Sequence, residues 1–351
     1  MSRIRILVVE DSLTVRKRIV ELLSAHEEFE VVGEAEDGKK GIELCQALRP
    51  DAVTLDMMMP VMSGLAATEY IMAFCPTPIL IVSSSTNRGE LFKTYEALAA
   101  GALDVLEKPR SAEPAGTWET RFIATLRLIS RIKVITHPRA RLERRNFAPG
   151  SGSFPAAGRG VRVLAIGAST GGPGAVLEIL KGLPPTFPLP ILLALHLGKA
   201  FGSAFSDWLD GESPLRVAYA KDGEPLPPPG QGRVILAPPD LHLVLRDGRL
   251  RLTDGPERHS CRPSVDILFE SVAREAAAAA AAVLLTGMGK DGAEGLLAVR
   301  RAGGVTLAQD EETCVVFGMP REAILLGGAE KVLPLQRIAP ALKSLAERKT
   351  P

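Results

Sequence analysis

Two blocks of short apolar runs alternate with stretches of helical spacing, and a segment with neither pattern separates them. The first block has runs at Arg5–Val9, Glu30–Glu34, Ala52–Leu55, Ile79–Ser83 and Asp104–Leu106. The second has them at Val161–Gly167, Ile191–His196, Arg216–Tyr219, Val234–Ala237, Ala282–Thr286 and Val305–Gln309. Such alternation predicts parallel strands joined by crossover helices, an α/β doubly wound sheet in each block. The first sheet has five parallel strands and the second is mostly parallel, with a β-hairpin where Leu241 to Leu252 alternate around Asp247-Gly248. The alanine run Ala276–Ala282 reads as a helix end entering a buried strand. Helical spacing from Thr120 to Ile135 (Phe122, Ile123, Leu126, Ile129, Ile132) predicts the last helix of the first block. From His137 to Gly160 the chain carries five Arg, three Pro and four Gly with few periodic apolar positions, which reads as a solvated linker rather than a docking strip for an acidic partner. The expected domains are therefore 1–136 and 161–351, joined by 137–160, as suits a chain of 351 residues.

Bulk properties exclude several classes. Lys+Arg and Asp+Glu nearly cancel, 42 against 41, so no electrostatic case exists for nucleic-acid binding. The longest apolar stretch, Ala276 to Leu285, is too short to span a bilayer, so membrane insertion is not expected. The start of the chain reads as a strand rather than a signal peptide. Cys45, Cys75, Cys261 and Cys314 lie far apart with no metal-ligand spacing, which predicts reduced buried thiols and a cytoplasmic protein.

In open parallel sheets, functional groups gather beyond the carboxyl ends of the strands. Glu10-Asp11 follows the first predicted strand and Asp56 the third; Ser83 ends the fourth and Lys108-Pro109 follows the fifth. Three carboxylates at one edge repel one another unless a cation sits among them, and hard oxygen ligands favour Mg²⁺. A carboxylate beside that ion can take up a phosphoryl group, with a lysine neutralising its oxygens and Ser83 donating to one of them. Singly, each acid is more often a helix cap. Together they resemble the receiver domain of two-component response regulators over roughly residues 3–135. The resemblance implies that Asp56 accepts phosphate from a histidine kinase. It further implies that Glu10, Asp11, Asp56 and the Met58 carbonyl hold the metal, and that Lys108 contacts the phosphoryl group. Glu10 stands where many members have Asp, and Val105 where many have an aromatic residue.

The second block opens with Gly167-Ala168-Ser169-Thr170-Gly171, a Gly-x-Ser-x-Gly turn between a strand and a helix. Such a turn lifts a serine oxygen clear of the sheet, and it equally suits a phosphate cradle; both readings stand at this point. Of five histidines only His196 closes an apolar parallel-type strand, which puts it on the same edge as Ser169. Asp291, in Thr286-Gly287-Met288-Gly289-Lys290-Asp291-Gly292, is the candidate to orient that histidine, or else caps the following helix. The chain order Ser, His, Asp is not that of the α/β-hydrolases.

These segments, with Arg262-Pro263-Ser264-Val265-Asp266 and Gln309-Asp310-Glu311 through Gly318-Met319-Pro320, resemble the CheB family of chemotaxis protein-glutamate methylesterases. The resemblance implies hydrolysis of glutamyl methyl esters on methyl-accepting chemoreceptor helices, with deamidation of receptor glutamines. Ser169 is then the nucleophile, His196 the base and Asp291 its orienting acid, with the N–H groups of Thr170 and Met288 as oxyanion donors. No cofactor is implied for the ester chemistry. The receiver is expected to hold the esterase in check until Asp56 is phosphorylated. Leu195-His196-Leu197-Gly198-Lys199 departs from the usual histidine flanks, which leaves open the same chemistry in a non-flagellar chemosensory pathway. A receptor-binding regulator without catalysis is the reading from another class.

Overall fold

A computed structural model describes residues 3–84, 87–109, 116–132, 134, 160–202 and 204–346. The chain divides into two compact units, Met1–Asn146 and Phe147–Pro351. All of the expected linker except Gly160 lies outside the described residues.

The first unit alternates strand and helix throughout: β1 (Ile4–Val9), α1 (Leu13–Ser24), β2 (Phe29–Ala35), α2 (Gly38–Leu48), β3 (Ala52–Leu55), α3 (Gly64–Phe74), β4 (Ile79–Ser83), α4 (Arg88–Ala99), β5 (Asp104–Glu107) and α5 (Thr117–Ile129). The strands pair in parallel in the order β2-β1-β3-β4-β5. β3 and β4 are buried along their whole lengths, so they read as unbroken apolar runs rather than alternating ones. Side chains of Ser12, Asp37, Ser63 and Asn87 accept from backbone N–H groups and start α1 to α4 directly after the strand-end loops. The last helix ends at Ile129, short of the expected Ile135; Ile132 lies past its end and Ile135 outside the described residues.

The second unit runs β6 (Val163–Ala168), α6 (Gly172–Lys181), β7 (Ile191–Leu195), α7 (Lys199–Gly202), α8 (Phe205–Glu212), β8 (Arg216–Tyr219), β9 (Arg233–Leu236), β10 (His242–Arg246), β11 (Arg249–Thr253), α9 (Val265–Ala276), β12 (Ala280–Leu284), α10 (Ala293–Arg301), β13 (Val305–Gln309), α11 (Met319–Leu325), β14 (Lys331–Leu333) and α12 (Leu335–Ala346). Seven strands form one sheet, β14-β13-β12-β6-β7-β9-β8, and every pairing in it is parallel. The alanine run does end one helix and enter β12 through a short 3₁₀ turn. β10 and β11 make the expected hairpin, whose Leu243, Leu245 and Leu250 join the core beneath α9.

Three strands differ from expectation by more than one residue; β6 begins at Val163 rather than Val161. β14 was not foreseen because its three residues are exposed or partly exposed and carry no apolar run. β12 lies two residues earlier than expected, so Leu285 and Thr286 belong to the strand-end loop. Among the described residues no helix is long and apolar enough to cross a membrane.

Candidate active site and phosphoacceptor site

The order of the larger sheet reverses direction between β12 and β6: the chain builds outward from β6 through β7 to β9 and β8, then returns to β12 and outward to β14. A crevice opens beyond the carboxyl ends at such a switch point. Three adjacent strands deliver the candidate groups there: Ser169 follows β6, His196 follows β7 and Asp291 lies in the loop after β12. His196 N–H donates to Ala168 O (3.1 Å) and Ser169 N–H to Thr286 O (3.0 Å), so ladder-like bonds carry the register into the site.

The turn at Ser169 depends on its glycines. A Cβ on Gly167 would run into Val265 Cγ1, and Gly171 sits at φ 74° with no room for a side chain against Val315. Gly171 caps α6, and Pro173 stands in that helix's first turn. Among the described residues the backbone N–H groups of Thr170 and Met288 donate to no carbonyl, which leaves both for an oxyanion.

Asp291 is buried and accepts four hydrogen bonds. Oδ2 receives His196 Nε2–H (2.8 Å) and Val265 N–H (2.7 Å); Oδ1 receives Ser264 Oγ–H (2.7 Å) and Asp266 N–H (3.1 Å). It therefore sits at the N-terminus of α9, where the helix dipole favours a negative charge, rather than capping the helix that follows it, which starts on Gly292. Burial alone would raise its pKa, but the bond and charge of His196, with Ser264 and Val265, hold it below the ordinary carboxylate range.

Because a carboxylate only accepts, His196 Nε2 carries a proton and Nδ1 is the nitrogen with a free lone pair in the neutral ring. Burial by itself would lower the His196 pKa, but Asp291 and then Cys261 bring it up to about 9. Nδ1 faces Cys261 Sγ at 3.6 Å, and no hydrogen bond joins Ser169 Oγ to the ring among the described residues.

Sequence reasoning missed three participants. Ser264 orients Asp291 and caps α9 through Ile267 N–H; the Arg-Pro-Ser-Val-Asp motif was its signal. Gln309 fixes the β12 loop by accepting from Thr286 N–H (2.8 Å) while donating to Thr313 O (2.7 Å), which gives the Gln309-Asp310 motif its physical role. Cys261 had no signal. The expectation of four buried thiols is corrected here, since Cys45, Cys75 and Cys314 are buried but Cys261 is partly exposed beside His196.

In the smaller sheet the switch lies between β1 and β3, and Glu10, Asp56, Ser83 and Lys108 follow or end four neighbouring strands there. Lys108 Nζ bridges Glu10 Oε1 (2.8 Å) and Asp56 Oδ2 (3.1 Å), and Asp56 Oδ1 accepts Met57 N–H (2.8 Å). Asp11 is exposed, but its carboxylate lies within 4.8 Å of those of Glu10 and Asp56. Met58 occupies the turn after β3 with its side chain exposed. Burial first, and then the Asp56 charge, push Glu10 up to about 7; burial also raises Asp56 against the pull of Lys108. Among the described residues Glu10 Oε2 and Ser83 Oγ are buried without a hydrogen-bond partner. A carboxylate oxygen orphaned beside two other acids suits a divalent cation, and an orphaned hydroxyl suits a phosphoryl oxygen.

Comparison with known proteins agrees with this two-part reading. The family model for the CheB methylesterase matches residues 164–342, and that for the response regulator receiver domain matches residues 6–114. The chain belongs to the CheB methylesterase family. A protein of *Anaeromyxobacter dehalogenans* named protein-glutamate methylesterase/protein-glutamine glutaminase 2 is 44% identical over 97% of both chains. A *Pseudomonas aeruginosa* protein of the same name is 43% identical over 99% of this chain and 98% of its own. The crystal structure of the *Thermotoga maritima* CheB methylesterase catalytic domain is 40% identical, with a TM-score of 0.50. The match covers 53% of this chain and 98% of that one.

Proposed function

We propose that this chain is a protein-glutamate methylesterase, and also a protein-glutamine glutaminase, whose activity rises when Asp56 is phosphorylated. The observation that carries the esterase reading is the convergence of Ser169, His196 and Asp291 from three adjacent strands, with Asp291 buried on His196 Nε2 at 2.8 Å. The domain limits that go with it are 1–136, 137–160 and 161–351.

In this reading Ser169 Oγ attacks the carbonyl of a glutamyl methyl ester on a chemoreceptor helix. Its proton passes to His196 Nδ1, because Nε2 is committed to Asp291. The missing Ser169–His196 hydrogen bond forms as substrate binds, since catalytic contacts often tighten only in the Michaelis complex. Thr170 and Met288 N–H hold the oxyanion, and Asp291 stabilises the imidazolium. Methanol leaves with the proton from His196, and water then cleaves the acyl-enzyme. With a glutamine the same steps release ammonia.

Asp56 takes its phosphoryl group from a chemotaxis-type histidine kinase. A Mg²⁺ ion, held by Glu10, Asp11, Asp56 and the Met58 carbonyl, would offset charge on the phosphoryl oxygens. Lys108 neutralises the same oxygens, and Ser83 Oγ, without a partner among the described residues, donates to one of them.

The test is methanol release from a methylated chemoreceptor fragment by the full chain and by Ser169→Ala. The reading expects release from the first, none from the second, and equal binding of the fragment by both. Release that survives in Ser169→Ala would overturn it. Binding without release by either chain would favour a regulator that only docks.

A further inference from the structure

We propose that Cys261 Sγ and His196 Nδ1 form a binding site for Zn²⁺, and that its occupancy silences the esterase. The two atoms are 3.6 Å apart. Zn–S and Zn–N bonds of about 2.3 and 2.05 Å meeting at a tetrahedral angle span an edge of about 3.6 Å, which matches the separation of the two atoms. The other ring nitrogen donates to Asp291 at 2.8 Å. That is the carboxylate–histidine–metal arrangement, which fixes the tautomer with its lone pair toward the metal and makes the ring a stronger ligand. One oxygen of the Asp291 carboxylate lies within 4.8 Å of Cys261 Sγ and of a His196 ring nitrogen. The carboxylate's four hydrogen bonds already use its lone pairs, so it holds the ring rather than binding the ion, and water or an anion completes the coordination.

Access separates this pair from the other cysteines. His196 and Cys261 are partly exposed at the strand-end crevice, whereas Cys45 and Cys75, also near one another, are buried in the first unit. Charge separates it from a second cluster, His259, Asp266 and Glu294. There the Arg258 guanidinium already pairs with Asp266 (3.5 Å), Glu270 (2.7 Å) and Glu294 (2.6 Å), and a metal ion would have to displace it. A soft thiolate with an imidazole selects zinc over the hard ions that suit the carboxylates at Asp56.

Binding replaces protons by the metal: the S–H bond breaks as the Zn–S bond forms, a proton carried on His196 Nδ1 is displaced as the Zn–N bond forms, and the released protons go to solvent. The inhibitory consequence rests on the esterase reading, because Nδ1 is the lone pair that must receive the Ser169 proton. The binding itself does not rest on it.

The experiment titrates the full chain with Co²⁺ as a spectroscopic probe and follows zinc inhibition of methanol release in parallel. Wild type and Ser169→Ala should both show thiolate-to-cobalt charge-transfer absorption that Zn²⁺ abolishes, and Cys261→Ser should not. Relative to its own metal-free rate, Cys261→Ser should need on the order of tenfold more zinc for half inhibition. Absence of the absorption in wild type, its persistence in Cys261→Ser, or equal zinc sensitivity of the two would overturn the proposal. If no protein releases methanol, the esterase reading fails while the cobalt titration still decides the metal site.

Discussion

Replacing Asp291 by Asn keeps the side chain's shape and turns one oxygen into an NH₂. The amide can keep its oxygen on only one of the two donor pairs that Asp291 now accepts. The Ser264 side is the one that yields, because a hydroxyl can turn its hydrogen away and accept instead. That leaves Asp266 N–H facing an N–H group, and it removes the charge opposite His196. A buried donor left unpaired costs about 1–3 kcal/mol, and a hydrogen bond to a charged group is worth about 1.5–3 kcal/mol. Together they predict a loss of roughly 3–5 kcal/mol, seen as a lower denaturation midpoint of the full chain in urea. The imidazolium of the transition state loses the same carboxylate. Loss of that interaction, about 1.5–3 kcal/mol at 1.36 kcal/mol per factor of ten, should make kcat for methanol release fall by roughly 10- to 100-fold. KM should change little, since Asp291 is buried behind the ring. A folded Asp291→Asn protein with kcat within about threefold of wild type would refute this account of the site.

The remaining predictions concern titration and packing. With His196 raised to about 9, kcat/KM should climb with pH until about that value, and a profile already flat from about pH 7 would contradict it. The same shift has a stability sign: the contribution of protonated His196 is fully present below its unfolded pKa of about 6.5 and is lost as pH rises through about 9, so urea midpoints should fall over that window. Glu10 is raised to about 7, so its ionisation opposes folding as pH rises above the ordinary carboxylate range. Glu10→Gln should therefore stabilise the metal-free chain at neutral pH by on the order of 1 kcal/mol while weakening Mg²⁺ binding; thermal melts with and without Mg²⁺ check both. Gly167→Ala pushes a methyl group into Val265 and should cost about 1–3 kcal/mol of stability, measured by urea unfolding.

Much of this architecture was legible because central strands of a parallel sheet are buried on both faces. Ala52–Leu55, Ile79–Ser83 and Val305–Gln309 are strands with the limits read from sequence. Reading strand ends as site positions then brought Ser169, His196 and Asp291 to one edge, since strand adjacency follows from crossover topology. Edge and loop features were less accessible. β14 has no apolar run, and the position of β12 within the alanine run depends on pairing with β6 and β13 rather than on local composition. The role of Asp291 at the start of α9 is a contact across 26 residues of chain to Val265, and Cys261 meets His196 across 65. No local pattern encodes either approach.

The central claim is that chemistry at Ser169 answers to phosphorylation at Asp56. It is tested most directly by methanol release from a methylated receptor fragment, by the full chain and by Asp56→Asn, with and without a small-molecule phosphoryl donor and Mg²⁺. The account predicts that the donor raises the rate of the full chain and leaves Asp56→Asn at its basal rate. Equal stimulation of both proteins, or none in the full chain, would contradict it.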